Sequence, residues 1–137
     1  MQKQNIDKFV GIPYKYLGTD FTGVDCIGLC QLFFCEHNIP MVWRDGRPIA
    51  KDWYVKEPFR IARWLEKRFN RIKNVDLLQY GDVVLYNING EGHTGIYVGN
   101  HQVLTILQQY KKSMCAKLHN GNFFFRAGYR LKEGESG

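Results

Sequence analysis

The stretch FTGVDCIGLCQLFFCEHNIP, residues 21–40, places three cysteines within ten positions and then reaches a histidine and a proline. Cys26, Leu29, Cys30, Phe33 and Phe34 recur at the i, i+3, i+4, i+7, i+8 spacing of a buried helix. Asp25 stands where a helix N-cap is expected, and Asn38 with Pro40 ends the run. A helix from Cys26 to about Glu36 is therefore predicted, with one cysteine in its first turn.

Upstream, Pro13, Gly18 and Gly23 break a short lead-in. Downstream, residues 40–58 contain three prolines and no clean period, which reads as an ordered loop. A second helix is expected from about Pro58 to Arg71, with Ile61, Ala62, Leu65, Phe69 and Ile72 inward. After Tyr80 the period falls from 3.6 to 2. Strands are expected at 82–88, 94–99, 102–108, 113–118 and 123–131. Asn89-Gly90, Gly99-Asn100 and Asn120-Gly121 are turn signals between them. Short connections favour an antiparallel meander, and helices followed by strands give an α+β class. With 137 residues, no repeat and a polar tail, KEGESG, the chain reads as one domain over 1–137.

The composition, 45% hydrophobic and 15% aromatic, is that of a folded protein and sets aside a disordered chain. No apolar run reaches the roughly 20 residues of a membrane span. The first residues lack the apolar core of a signal peptide, so action outside the cytoplasm would need another delivery route. The net charge of +6 is concentrated: FRIARWLEKRFNRIK, residues 59–73, holds six basic residues and one Glu. Arg60, Arg63, Lys67 and Arg71 line one expected helix face, either a solvated face or a surface for an anionic cell-wall polymer. No nucleic-acid motif accompanies it, so a nucleic-acid partner is not expected.

The cysteines fit neither zinc nor thioredoxin chemistry. Their C-x3-C-x4-C spacing lacks the paired C-x-x-C units that both require. Three of them on one helix cannot readily reach disulfide geometry. No metal or cofactor is expected. Cys30, Cys35 and Cys115 read as small hydrophobes. Cys26 differs, because the unpaired N–H groups and positive dipole end of a first turn favour a thiolate. An activated Cys26 should outpace the other three in alkylation near pH 6.

A nucleophile needs a base. His37 ends the same helix, about 16 Å from Cys26 at the helical rise. His101 falls in a hairpin turn and His119 beside another. His93 opens the strand TGIYVG, where it can face a helix N-terminus packed on the sheet, and it is the candidate base.

Together these residues resemble the NlpC-type cell-wall cysteine peptidases. GIPYKYLGTDFTGVDCIGLCQLFF, with Gly11, Tyr14 and Gly18 ahead of Asp-Cys-x-Gly-Leu, is similar to that family's nucleophile segment. GDVVLY followed by HTGIYVGNHQVLTI is similar to its second signature. The resemblance implies a papain-like α+β fold, with helices packed on a C-terminal antiparallel sheet of about five strands. It also implies hydrolysis of amide bonds in peptidoglycan stem peptides next to D-glutamate. Cys26 would be the nucleophile and His93 the base. Tyr14 would position substrate or stabilise the oxyanion, and Asp25 would cap the helix. Family members usually carry a polar residue twelve positions after the base, and here that is Thr105. Register decides whether it can serve: a three-residue turn after Gly99 puts Thr105 on the face of His93, whereas a two-residue turn puts Gln108 opposite. The rival readings are a Cys–His amidase or acyltransferase on another substrate, and a silent cell-wall-binding module of a phage tail.

Overall fold

The computed structural model describes residues 1–41, 43, 60–88, 91–118 and 123–132. The expected loop over 40–58, the turns at Asn89-Gly90 and Asn120-Gly121, His119 and the tail beyond Lys132 lie outside the described residues.

A two-residue hairpin, β1 (Thr19–Asp20) and β2 (Gly23–Val24), leads directly into helix α1 (Cys26–Glu36). The cap forms as the sequence predicts: Asp25 Oδ1 accepts from Gly28 N at 2.7 Å. Its second oxygen accepts from Leu17 N at 3.0 Å, tying the preceding loop to the helix start. Leu29, Cys30, Phe33 and Phe34 are fully buried, but Ile27 and Leu32 are buried as well. The helix is apolar almost all round because it lies within the main core. Cys35 is the exception. It is exposed and not the core filler its composition suggests, since it lies off the Cys26–Cys30–Phe33 stripe in the last turn.

Helix α2 (Arg60–Arg68) is shorter than its pattern implies, and Phe69–Ile72 forms strand β3. Phe69 and Ile72 continue the helical stripe in sequence, yet pairing of Phe69 with Leu131 and Ile72 with Gly128 on β8 prevails. That edge pairing adds a sixth strand to the sheet, whose order is β3-β8-β4-β5-β6-β7. The strands are β4 (Val83–Ile88), β5 (Glu91–Gly99), β6 (Gln102–Ile106), β7 (Ser113–Lys117) and β8 (Phe123–Leu131). All pairs are antiparallel. β4 to β7 form the expected meander, whereas β8 returns across it to pair with β4. The main core lies between α1 and one face of the sheet and includes Phe33, Leu85, Ile96, Val98 and Leu104. A smaller cluster of Val84, Tyr86, Tyr97 and Val103 covers the other face. No described helix is long and apolar enough to cross a membrane.

Asp82, at the start of the GDVVLY segment, has a structural task. Its buried carboxylate accepts from Gln79 N at 2.7 Å and takes a two-pronged contact from Arg130, Nε at 3.0 Å and Nη2 at 2.8 Å. Arg130 Nη2 also donates to Leu77 O at 2.9 Å, so one ion pair joins β8 to the turn before β4. Removing the acid leaves a guanidinium and a backbone N–H without their acceptor. Asp82→Ala is expected to cost about 3 kcal/mol, read as a lowered urea midpoint with unchanged slope.

Candidate active site

The β5–β6 hairpin settles the register question in an unexpected way. Its turn has two residues, Asn100 and His101, at φ 53° and 58°, and Gly99 pairs with Gln102. A bulge between Tyr97 and Gly99 then shifts the ladder by one, so that Tyr97 pairs with Val103 and Ile96 with Leu104. Alternation from there puts Thr105 on the face of Tyr97 and His93. The sequence tied that outcome to a three-residue turn; a two-residue turn plus a bulge achieves it. Gln108 belongs to a short 3-10 turn beyond β6. Gly95 is needed for close approach, because a Cβ there would sit 2.5 Å from Val103 Cγ1 and 2.8 Å from Leu104 O.

The β5–β6 ladder begins at Ile96 and Leu104, and β6 also approaches β5 closely at Gly95. Helix α1 packs against β5. Thr94 and the Ile27 N–H of its own first turn are the groups near Cys26 that favour its thiolate. The Thr94 carbonyl, on the same strand edge as its N–H, accepts from Thr105 Oγ1 at 3.2 Å. Cys30 Sγ lies 3.8 Å from Thr94 Oγ1. Thr94 therefore gathers both buried cysteines and Thr105 around one residue. Cys26 belongs to the main core between α1 and the sheet.

His93 directly precedes Thr94, so strand alternation turns its side chain to the opposite face. There its ring stacks on Tyr86 at a centroid separation of 5.8 Å and an interplanar angle of 27°. Tyr86 pairs with His93 in register, and its hydroxyl hydrogen-bonds to Thr105 Oγ1. The single Thr105 proton goes to the Thr94 carbonyl, which makes Tyr86 the donor in that contact. Thr105 bonds both Tyr86 and Thr94. Cys26 packs in the main core, and His93 stacks on Tyr86, which belongs to the cluster on the other face. Tyr14, half-buried against the core, is fixed by its N–H to Lys111 O at 2.8 Å and a bridge to Val24, two residues before Cys26.

The protonation states are those of a neutral resting pair. Burial, with the Asp25 carboxylate beside it, pushes the Cys26 thiol up to about 11, against the hydrogen bonds from Thr94. Burial lowers His93 to about 4. This reverses the expectation of a thiolate: the helix N-terminus acts on a sulfur only 8% exposed, and loss of water outweighs it. Alkylation of Cys26 by iodoacetamide, followed by peptide mass spectrometry, should thus be slower than that of exposed Cys35 near pH 6. Its rate should rise about tenfold per pH unit up to roughly pH 10, since only the thiolate reacts. A plateau reached near pH 6 would instead reveal an ion pair.

Tyr86 and Thr94 were not singled out from the sequence. Tyr86 could have been, as the polar-tipped residue ending an otherwise apolar strand pattern. Thr94 looks like an ordinary strand residue until its contacts with Cys30 and Thr105 are known.

Residues 11–127 match the model of the NlpC/P60 family. The chain is 25% identical over 91 residues to dipeptidyl-peptidase 6 of Lysinibacillus sphaericus, covering 66% of this chain and 26% of that protein. It thus spans about a quarter of the curated relative it matches. Among solved structures it resembles NlpC2 from Trichomonas vaginalis, with a TM-score of 0.69 at 17% identity, covering 92% of this chain and 44% of the other. It also resembles the NlpC/p60 domain of the peptidoglycan hydrolase SagA, with a TM-score of 0.59 at 21% identity, covering 90% and 91%. With the family model spanning both the cysteine segment and the histidine strand, the chain belongs to the NlpC/P60 family.

Proposed function

We propose that this protein is a cysteine peptidase that hydrolyses amide bonds in peptidoglycan stem peptides, next to D-glutamate. The observation supporting the reading is the first-turn thiol of Cys26 beside Thr94, the neighbour of His93 in sequence, within a segment matched by the NlpC/P60 family. The SagA likeness supports the choice of substrate.

In this reading His93, neutral at physiological pH, takes the proton of Cys26 as substrate enters and the imidazole closes on the sulfur. Catalytic hydrogen bonds that are long in an empty site commonly tighten in the substrate complex. The thiolate attacks the stem-peptide carbonyl. The backbone N–H of Cys26 and a second donor, Tyr14, hold the oxyanion. The amine leaves with the proton from His93, and water then hydrolyses the thioester. Tyr86 and Thr105 position the imidazole: the ring stack fixes its plane, and the Thr105 hydroxyl fixes Tyr86. Tyr86→Phe keeps the stack and loses the hydroxyl. It should lower kcat about tenfold with little change in KM, because the substrate does not touch it.

Digestion of purified muropeptides, with products identified by mass spectrometry, tests the substrate. New amino termini in the stem peptide are expected; cleavage confined to lipid or small-molecule amides would overturn it. One observation favours a silent wall-binding module: Cys26 is buried and nearly covered. Unchanged muropeptides after prolonged incubation would select that reading.

A further inference from the structure

The cations of residues 59–73 do not form one helical face, because the chain changes from helix to strand at Phe69. Arg63 and Lys67 are exposed on α2; Arg71 is exposed on the edge strand β3, with Lys73 just beyond its end. The neighbouring strand adds a fifth. β8 pairs Ala127 with Leu85 and Phe125 with Tyr86, so Arg126 is the extra residue of a bulge, and it is exposed. Bulges re-aim side chains, and this one adds a guanidinium to the same edge. Arg71 stands directly across from Tyr129 in register. Burial raises the Tyr129 phenol, and Arg71 and Arg126 both act against that rise, with Glu66 of α2 in range as well. Arg71 and Arg126 therefore both lie in the neighbourhood of Tyr129 on β8.

Other cations nearby have structural partners. Arg68 lies over the Trp64 ring at 4.6 Å, and Arg130 is held by Asp82. Among the described residues the ion pairs are Lys8–Glu36 and Arg130–Asp82, and neither involves these five cations. With Glu66 of α2 the acid beside them, these five exposed cations suit an anionic partner. Arg71 on β3 and Lys73 just past its end are two residues apart, at most about 7 Å along the chain, a stride suited to a chain of repeating charges. Among the described residues the exposed large apolar ones are Met1, Val10, Leu17, Phe21, Leu77 and Tyr110, none of them within this cluster. The described residues of the cluster thus offer neither a stacking platform for bases nor an apolar wedge for a bilayer.

We propose that Arg63, Lys67, Arg71, Lys73 and Arg126 form a docking surface for a linear, base-free phosphodiester polyanion of the poly(glycerol phosphate) class. The proposal does not depend on the hydrolase reading.

Fluorescence anisotropy with labelled poly(glycerol phosphate) tests it on the intact chain. About four phosphate contacts predict a salt slope near −3 and an affinity loss of roughly 50-fold between 50 and 200 mM salt. The variant Arg71→Gln/Lys73→Gln/Arg126→Gln, melting with the wild type, should reduce that slope by about 2 and bind at least about tenfold more weakly at 50 mM. Should it melt early, Arg63→Gln/Lys67→Gln carries the same test with a slope change of about 1. An unchanged slope in a folded variant overturns the proposal. So does tighter binding to single-stranded DNA of matched charge or to phosphatidylglycerol vesicles.

Discussion

Replacing Cys26 by alanine is expected to slow release of stem-peptide products by at least about 10³-fold, because a nucleophile cannot be partly replaced by its neighbours. The protein should still fold. Cys→Ala removes one buried sulfur, a cost of about 1 kcal/mol that lowers the melting temperature by a few degrees. Cys30→Ala is the informative control. Cys30 is fully buried behind Cys26 and bonds Thr94 from the core side, so its loss should lower stability and leave the rate within a few-fold. His93→Ala should match Cys26→Ala in rate, and the double variant should lose little more, since groups acting as a unit are not additive. A Cys26→Ala protein cleaving within tenfold of wild type would end the nucleophile assignment. Equal losses in Cys26→Ala and Cys30→Ala would mean that packing around Thr94, not sulfur chemistry, sets the rate.

Much of the frame was legible because local signals and tertiary demands agree. Asp25 is a good cap in isolation and is the cap in the fold, and the change of period after Tyr80 marks where the main sheet's meander begins. The readings that failed depend on partners distant in sequence. Phe69 and Ile72 fit a helix by spacing, and only the arrival of β8 draws them into a strand. Cys35 fits a core residue by type, yet α1 is covered on its other sides. The site divides similarly. Its candidate residues stand in DCIGL and HTGIYVG, but the contacts of Thr105 with Tyr86 and Thr94 depend on the bulge in the β5–β6 ladder. Its protonation depends on burial, which overrides the helix dipole that the sequence displays.

Gly28→Ala should be the most damaging single substitution to the fold, at about 4 kcal/mol or more, although Gly28 sits in a helix where alanine is intrinsically favoured by about 1 kcal/mol. A Cβ at Gly28 would lie 1.7 Å from Gly18 O and 2.8 Å from Gly18 C, both backbone atoms. No rotamer change can relieve that. The obstruction is also propagated: a Cβ at Gly18 would lie 2.2 Å from Gly23 O, so three glycines bring the loop, the β1–β2 hairpin and α1 into backbone contact. Asp25 closes the same junction, with one carboxylate oxygen on Gly28 N and the other on Leu17 N. Leu17 itself stands at φ 63°, a conformation held by that bond and not by its own preference. Pushing α1 away from Gly18 would break the cap and shift Cys26, two residues earlier, away from Thr94. Urea unfolding of Gly28→Ala should show a midpoint well below wild type, and the fraction that folds should cleave slowly even at saturating substrate. Ala substitution at Gly11, which has φ +89° and no atom within 4 Å of an added Cβ, separates the two causes. It tests backbone strain alone and should cost only about 1 kcal/mol. If Gly28→Ala is tolerated as well as Gly11→Ala, close packing of α1 on the Gly18 loop is not what holds the cysteine in place.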